Sequence, residues 1–177
     1  MSDSCRWDRV EEVVTVVAQE RRALENLLFR LQHARDVLTA DDERFLAIAA
    51  DELEAAAATV RELEAARSRV VADSGHDTLR SLLADAPEPY QSMLAEHHRA
   101  LGRLAGEVGA HLETTQELAE DRLAELRGER PGRFRRGRRL RRIALDELDT
   151  AIVAAGYESL LNVSTSVRLP ALVTFLA

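Results

Sequence analysis

Val10-Glu11-Glu12-Val13-Val14-Thr15-Val16-Val17-Ala18-Gln19-Glu20-Arg21-Arg22-Ala23-Leu24-Glu25-Asn26-Leu27-Leu28-Phe29-Arg30-Leu31 contains neither glycine nor proline, and apolar side chains return every seventh residue, at Val10, Val17, Leu24, Leu31 and then Leu38. The interleaved series Val14, Arg21, Leu28 and Arg35 is half apolar. Two such series on one face form the seam by which a helix packs against another helix. The chain on either side reads the same way. No Gly precedes Gly75 and no Pro precedes Pro87, so helix can run almost without interruption to that point.

Thr39-Ala40-Asp41-Asp42 offers a capping threonine with an acid three residues on, which predicts the start of a second helix. Its seam is Leu46, Ala49, Leu53, Ala56, Val60, Leu63 and Val70, small residues alternating with large, and Gly75 ends it. A short amphipathic turn from Thr78 to Leu83 leads to Pro87-Glu88-Pro89, which suits the loop and first turn of a third helix. That helix carries Tyr90, Leu94, His97, Leu101, Leu104, Val108, Leu112, Thr115, Leu118 and Leu126 and stops at Gly128. At 1.5 Å per residue, three segments of roughly 35 residues are each about 50 Å long, matched lengths that suit an up-down bundle. The expected fold is all-α: an elongated antiparallel three-helix bundle with an additional C-terminal amphipathic helix docked on it.

Composition supports this class. Ala, Glu, Leu and Arg make up more than half of the 177 residues, the bias of long helices and coiled coils. Aromatics are 4% of the chain, which leaves little material for an aromatic-lined small-molecule pocket. All 24 basic residues are arginine. The net charge of −7 hides a division: residues 1–126 carry −12, residues 127–142 carry +8 and residues 143–177 carry −3. The expected organisation is a helical-bundle domain over 1–127, an Arg/Gly-rich linker over 128–142, flexible at least to Gly137, and an apolar helical tail over 143–177. Cys5 has no partner for an intramolecular disulfide. The polar, acidic start lacks the basic and apolar regions of a secretory signal, and no apolar run approaches the ~20 residues of a membrane span. A soluble cytoplasmic protein is the expectation.

No catalytic constellation converges, and the chain is not expected to be an enzyme. The Glu-x-x-His pairing of di-metal bundles is absent, as are His-Glu-x-x-His, Cys-x-x-Cys, Gly-x-Gly-x-x-Gly and P-loop motifs. His97-His98 beside Glu96 is the one histidine cluster, but neighbours on a helix point about 100° apart and cannot chelate one ion unaided. Asp41-Asp42-Glu43 lacks spaced ligands and a following Gly, and reads as helix-start electrostatics. No metal and no cofactor are expected. Gly102, Gly106 and Gly109 are candidates for a groove where another helix lies close to the third helix. The arginine run invites a nucleic-acid or anionic-lipid reading, but the −12 body repels polyanions and no reading module flanks it, so a nucleic-acid partner is not expected.

The stretch Glu20-Arg21-Arg22-Ala23-Leu24-Glu25-Asn26-Leu27-Leu28-Phe29-Arg30-Leu31, the acidic second helix, and Ala86-Pro87-Glu88-Pro89-Tyr90-Gln91-Ser92-Met93-Leu94-Ala95-Glu96-His97-His98-Arg99 together resemble the FlgN family of flagellar export chaperones, its actinobacterial branch above all, over about residues 6–127. The resemblance implies a small acidic cytoplasmic chaperone. Such a protein holds hook-associated junction proteins by their C-terminal helices, prevents premature assembly and delivers them for type III export, with the export gate a further partner. Members end soon after the third helix in a polar stretch, whereas an arginine run and an apolar tail stand here, so no gate-docking residue transfers.

The tail carries a second resemblance. Tyr157-Glu158-Ser159-Leu160-Leu161-Asn162-Val163-Ser164-Thr165-Ser166-Val167-Arg168-Leu169-Pro170-Ala171-Leu172-Val173-Thr174-Phe175-Leu176-Ala177 resembles the extreme C-terminus of FlgL-type hook-filament junction proteins, with Tyr157, Leu161, Pro170, Leu172, Phe175 and Leu176 at the pattern positions and Val167 within it. Such a segment is one of the chaperone's own clients; an ordinary fourth helix of the bundle is the other reading. The apolar row of the third helix, Tyr90, Leu94, Leu101, Leu104, Val108, Leu112 and Leu118, is the candidate partner-binding surface, and the tail is a candidate occupant of it by helix-in-groove docking. The alternative class is a self-associating coiled-coil structural or adaptor protein whose arginine linker contacts nucleic acid or anionic lipid.

Overall fold

The computed structural model describes residues 3–40, 42–128 and 147–166. The fold is all-α: 92% of these residues are helical and no strand occurs among them. The order is α1 (Asp3–Ala40), a 3-10 turn (Glu43–Phe45), α2 (Leu46–Asp73), α3 (Leu79–Asp85), α4 (Tyr90–Arg127) and α5 (Glu147–Ser166). Contacts divide the chain into two compact units. The first takes residues up to Phe29 together with Ala55–Gly109; the second takes Arg30–Glu54 and the described part of Ala110–Arg168. Apart from Gly128, the expected linker lies outside the described residues.

The buried face of α1 is a strict alternation of three and four: Val10, Val13, Val17, Glu20, Leu24, Leu27, Leu31, Ala34 and Leu38 are all buried. The first of the two expected series therefore faces the core. The second is corrected. Val14 is buried, but Leu28 is only partly so, Arg21 is half-exposed and Arg35 is exposed. Val13, Glu20, Leu27 and Ala34 complete the seam instead. The expectation missed this row because a glutamate interrupts it; in the folded chain that glutamate is paired. On α2 the matching row is Leu46, Ala50, Leu53, Ala57, Val60, Glu64, Arg67 and Val71, all buried except the partly buried Glu64. Leu63 and Val70, expected in the seam, are only partly buried.

In the first unit α1, α2 and α4 contribute Val10, Val17, Leu24, Val60, Leu94, Leu101 and Val108 to the core, and α3 adds Leu79 and Leu82. The expected short turn after Gly75 is the seven-residue α3, opened by a reciprocal capping box in which the Ser81 amide donates to Thr78 Oγ1 and the Thr78 amide to Ser81 Oγ. Gly75 and Gly128 follow the ends of α2 and α4 with φ of +84° and +76°, a left-handed conformation that glycine takes without a Cβ clash. The Gly75 amide donates to Ala72 O at 2.9 Å and the His76 amide to Val71 O at 3.3 Å, satisfying terminal carbonyls of α2.

In the second unit the expected start of the second helix is corrected. Thr39 caps nothing: it lies in the last turn of α1, where its hydroxyl donates to Arg35 O at 2.8 Å. Asp42 precedes the 3-10 turn without capping it, because its carboxylate accepts from Arg44 Nε and Nη2 at 2.8 and 2.9 Å. The helix proper starts at Leu46. At the end of α1, buried Arg122 of α4 donates to Leu38 O and to Glu125, setting a cation at a helix C-terminus where the carbonyl ends are electronegative.

Candidate partner-binding site

The apolar row proposed on α4 divides between the two units. Tyr90, Leu94, Leu101, Leu104 and Val108 belong to the first unit, where the last four are buried core and Tyr90 is half-buried. Leu112 and Leu118 belong to the second, the former buried and the latter half-buried. Only these two share a unit with the tail helix. Of the glycines expected to mark a close approach on α4, Gly106 and Gly109 do not do so among the described residues: a Cβ built on either meets no atom within 4 Å.

The close approach lies on α5. A Cβ at Gly156 would stand 3.0 Å from Leu46 Cβ, tighter than ordinary contact, and 3.7 Å from Leu46 Cδ1. Helix α5 lies against the 3-10 turn that precedes Leu46. Its buried residues, Val153, Gly156, Tyr157, Leu160, Val163 and Ser164, recur at three- and four-residue intervals and so define one face. At the rim, Arg127 Nη2 donates to Glu158 Oε1 at 2.6 Å, with both side chains about half-exposed. The role of Gly156 was missed; Ala154-Ala155-Gly156 ahead of Tyr157 was the signal that a flat patch opens the tail's apolar face. Of the client-like residues, Tyr157 is buried and Leu161 half-buried, while Val167, Pro170, Leu172, Phe175 and Leu176 lie outside the described residues. Ile152, Phe45 and Ile48 of the same unit are exposed.

The polar chemistry lies elsewhere. In the first unit Arg67 Nε donates to Glu20 Oε2 at 2.7 Å, with both residues almost wholly buried. Arg67 Nη2 also lies 3.9 Å from Glu64 Oε1. Burial raises the Glu20 carboxyl above its ordinary value despite the opposing pull of Arg67, and burial likewise raises Glu64. His97 and His111 each bury Nδ1 without a hydrogen-bond partner. His111, Gln32, Arg35 and Asp36 line an open cavity of about 280 Å³ in the second unit, whose polar walls do not suit an apolar helix. Among the described residues no three His, Cys, Asp or Glu side chains gather as a metal site, and no helix is long and apolar enough to cross a membrane. No family model matches the chain, and no curated protein or solved structure matches it either.

Proposed function

We propose that the chain is a non-enzymatic, cytoplasmic export chaperone of the FlgN type. It holds the C-terminal helices of hook-associated junction proteins, and its own tail occupies the place of a client. On this reading α1, α2 and α4 form an antiparallel three-helix bundle and α5 is the docked fourth helix. One observation carries the proposal: α5, taken from the tail whose residues resemble a junction-protein C-terminus, buries Tyr157, Leu160 and Val163 in the second unit and seats Gly156 on Leu46. An amphipathic helix laid into an apolar surface is how helical clients are commonly held. Because it is tethered, α5 competes at millimolar-scale effective concentration.

Calorimetric titration of a junction-protein C-terminal peptide tests this on three proteins: the full chain, the full chain with Gly156→Val, and residues 1–127. Binding that is weak to the full chain and tighter to both others is the expected result. No binding to any of the three removes the chaperone reading. The exposed Phe45, Ile48 and Ile152 favour a second reading, self-association through the tail-bearing unit. Sedimentation that depends on protein concentration would then accompany the failed titration.

A further inference from the structure

The seam of the first unit is interrupted by one ionic layer. Glu20 of α1 and Arg67 of α2 are 1% and 4% exposed, and Glu64, one turn before Arg67, completes the layer. The charges do not balance. Two carboxylates share one guanidinium, and each has an oxygen, Oε1 of Glu20 and Oε1 of Glu64, that is buried without a hydrogen-bond partner. The guanidinium is committed to Glu20 at 2.7 Å and stands farther from Glu64, at 3.9 Å. With both carboxyls ionised the layer, of which Glu20 is wholly and Glu64 partly buried, holds an uncompensated negative charge, which is unfavourable. Among the described residues the surrounding groups supply no second cation to it. Arg21 on α1 turns outward to Glu25 at 3.1 Å and Glu96 at 3.7 Å. His97 follows Glu96 on α4, and its buried Nδ1 has no partner.

We propose that Glu20, Glu64 and Arg67 form a one-proton site, in which a single proton shared by the two carboxyls belongs to the folded first unit and its release as pH rises loosens the pairing of α1 with α2. The proton is the counter-charge that the layer lacks. Glu64 is the weaker partner of Arg67 and carries the proton more of the time, although the titration belongs to the pair.

The sign follows from linkage. Both carboxyls are raised in the folded chain above the 4.5 of an ordinary carboxyl, so the folded state binds more protons than the unfolded one. Stability is therefore fully present below about 4.5 and is lost as pH rises through the folded value. Where the unfolded carboxyls are ionised and the folded pair still holds its proton, the folding equilibrium constant falls about tenfold per pH unit.

The test uses the full chain. Infrared spectra of the native protein recorded as pH is raised above the ordinary carboxyl value of 4.5 are expected to show a protonated-carboxyl band that outlasts that of an ordinary carboxyl, and Glu64→Gln is expected to remove it. Urea midpoints measured from pH 5 to 9 are expected to fall for the native chain and to be flatter for Glu64→Gln. A native chain without the band, or equal pH slopes with and without Glu64→Gln, overturns the proposal. The infrared measurement needs no variant to fold.

Discussion

Replacing Gly156 by valine should release the tail helix. An added Cβ would meet Leu46 Cβ at 3.0 Å, where ordinary contact begins at 3.4 Å. That neighbour is not the swinging end of a flexible side chain. Leu46 is buried, and its Cβ is bonded directly to the first turn of α2, so it cannot move without the helix. Valine places two further methyl groups beyond the clash. Overpacking of this kind costs about 1–3 kcal/mol. Valine in place of a mid-helix glycine returns roughly 0.4 kcal/mol of helix propensity. The net loss of docking is then about 0.5–2.5 kcal/mol, a roughly 2- to 70-fold fall in the docked-to-released ratio. Hydrogen exchange at the amides of Val153, Tyr157, Leu160 and Val163 reads that ratio directly, with α4 amides as the internal reference. Gly156→Ala sets one tight contact against about 1 kcal/mol of propensity and should be close to neutral. If Gly156→Val leaves α5 as protected as before, the seat on Leu46 is not what holds the tail, and the reasoning fails.

Gly106→Ala and Gly109→Ala meet open space, and each should stabilise the chain by about 0.5–1 kcal/mol, seen as a higher urea midpoint. Arg67→Met leaves Glu20 buried without its cation and should cost about 3–5 kcal/mol at neutral pH, with part of the loss recovered in acid where the carboxyl takes a proton; thermal melts at two pH values check this. Joint replacement of Glu20, Glu64 and Arg67 by Leu or Met of similar volume should recover most of that loss, because an apolar layer owes nothing to charge pairing. Arg127→Ala removes a half-exposed ion pair to Glu158 and should weaken α5 protection by under about 1 kcal/mol, an effect that fades in high salt.

Much of the helical architecture was legible in particular residues. The Val10, Val17, Leu24, Leu31, Leu38 series lies in the core because a seven-residue recurrence leaves a helix one face to bury. Gly75 and Gly128 follow helix ends because each takes a left-handed φ. The candidate site was legible only in part. Leu94, Leu101, Leu104 and Val108 were legible as an apolar row and are buried, but a row reads the same in sequence whether it packs within the bundle or takes up a partner helix. The start of α2 was misplaced because Thr39 and Asp42 have the chemistry of caps, yet a threonine hydroxyl can equally bond back within its own helix, and a carboxylate can prefer a nearby guanidinium.

By itself the sequence determined an all-α chain, the faces that its heptads bury and the glycines at which helices stop, since periodicity and backbone freedom are local properties that need no partner. Only the tertiary structure decided which polar residues enter those faces and which glycine is needed for contact. Glu20 and Arg67 lie 47 positions apart, and each alone is a charge that belongs in water. Gly156 matters because Leu46 meets it, while Gly106 and Gly109, alike in sequence, face open space. Burial of a charge and closeness of a backbone are properties of pairs, and the pairs exist only once the helices have come together.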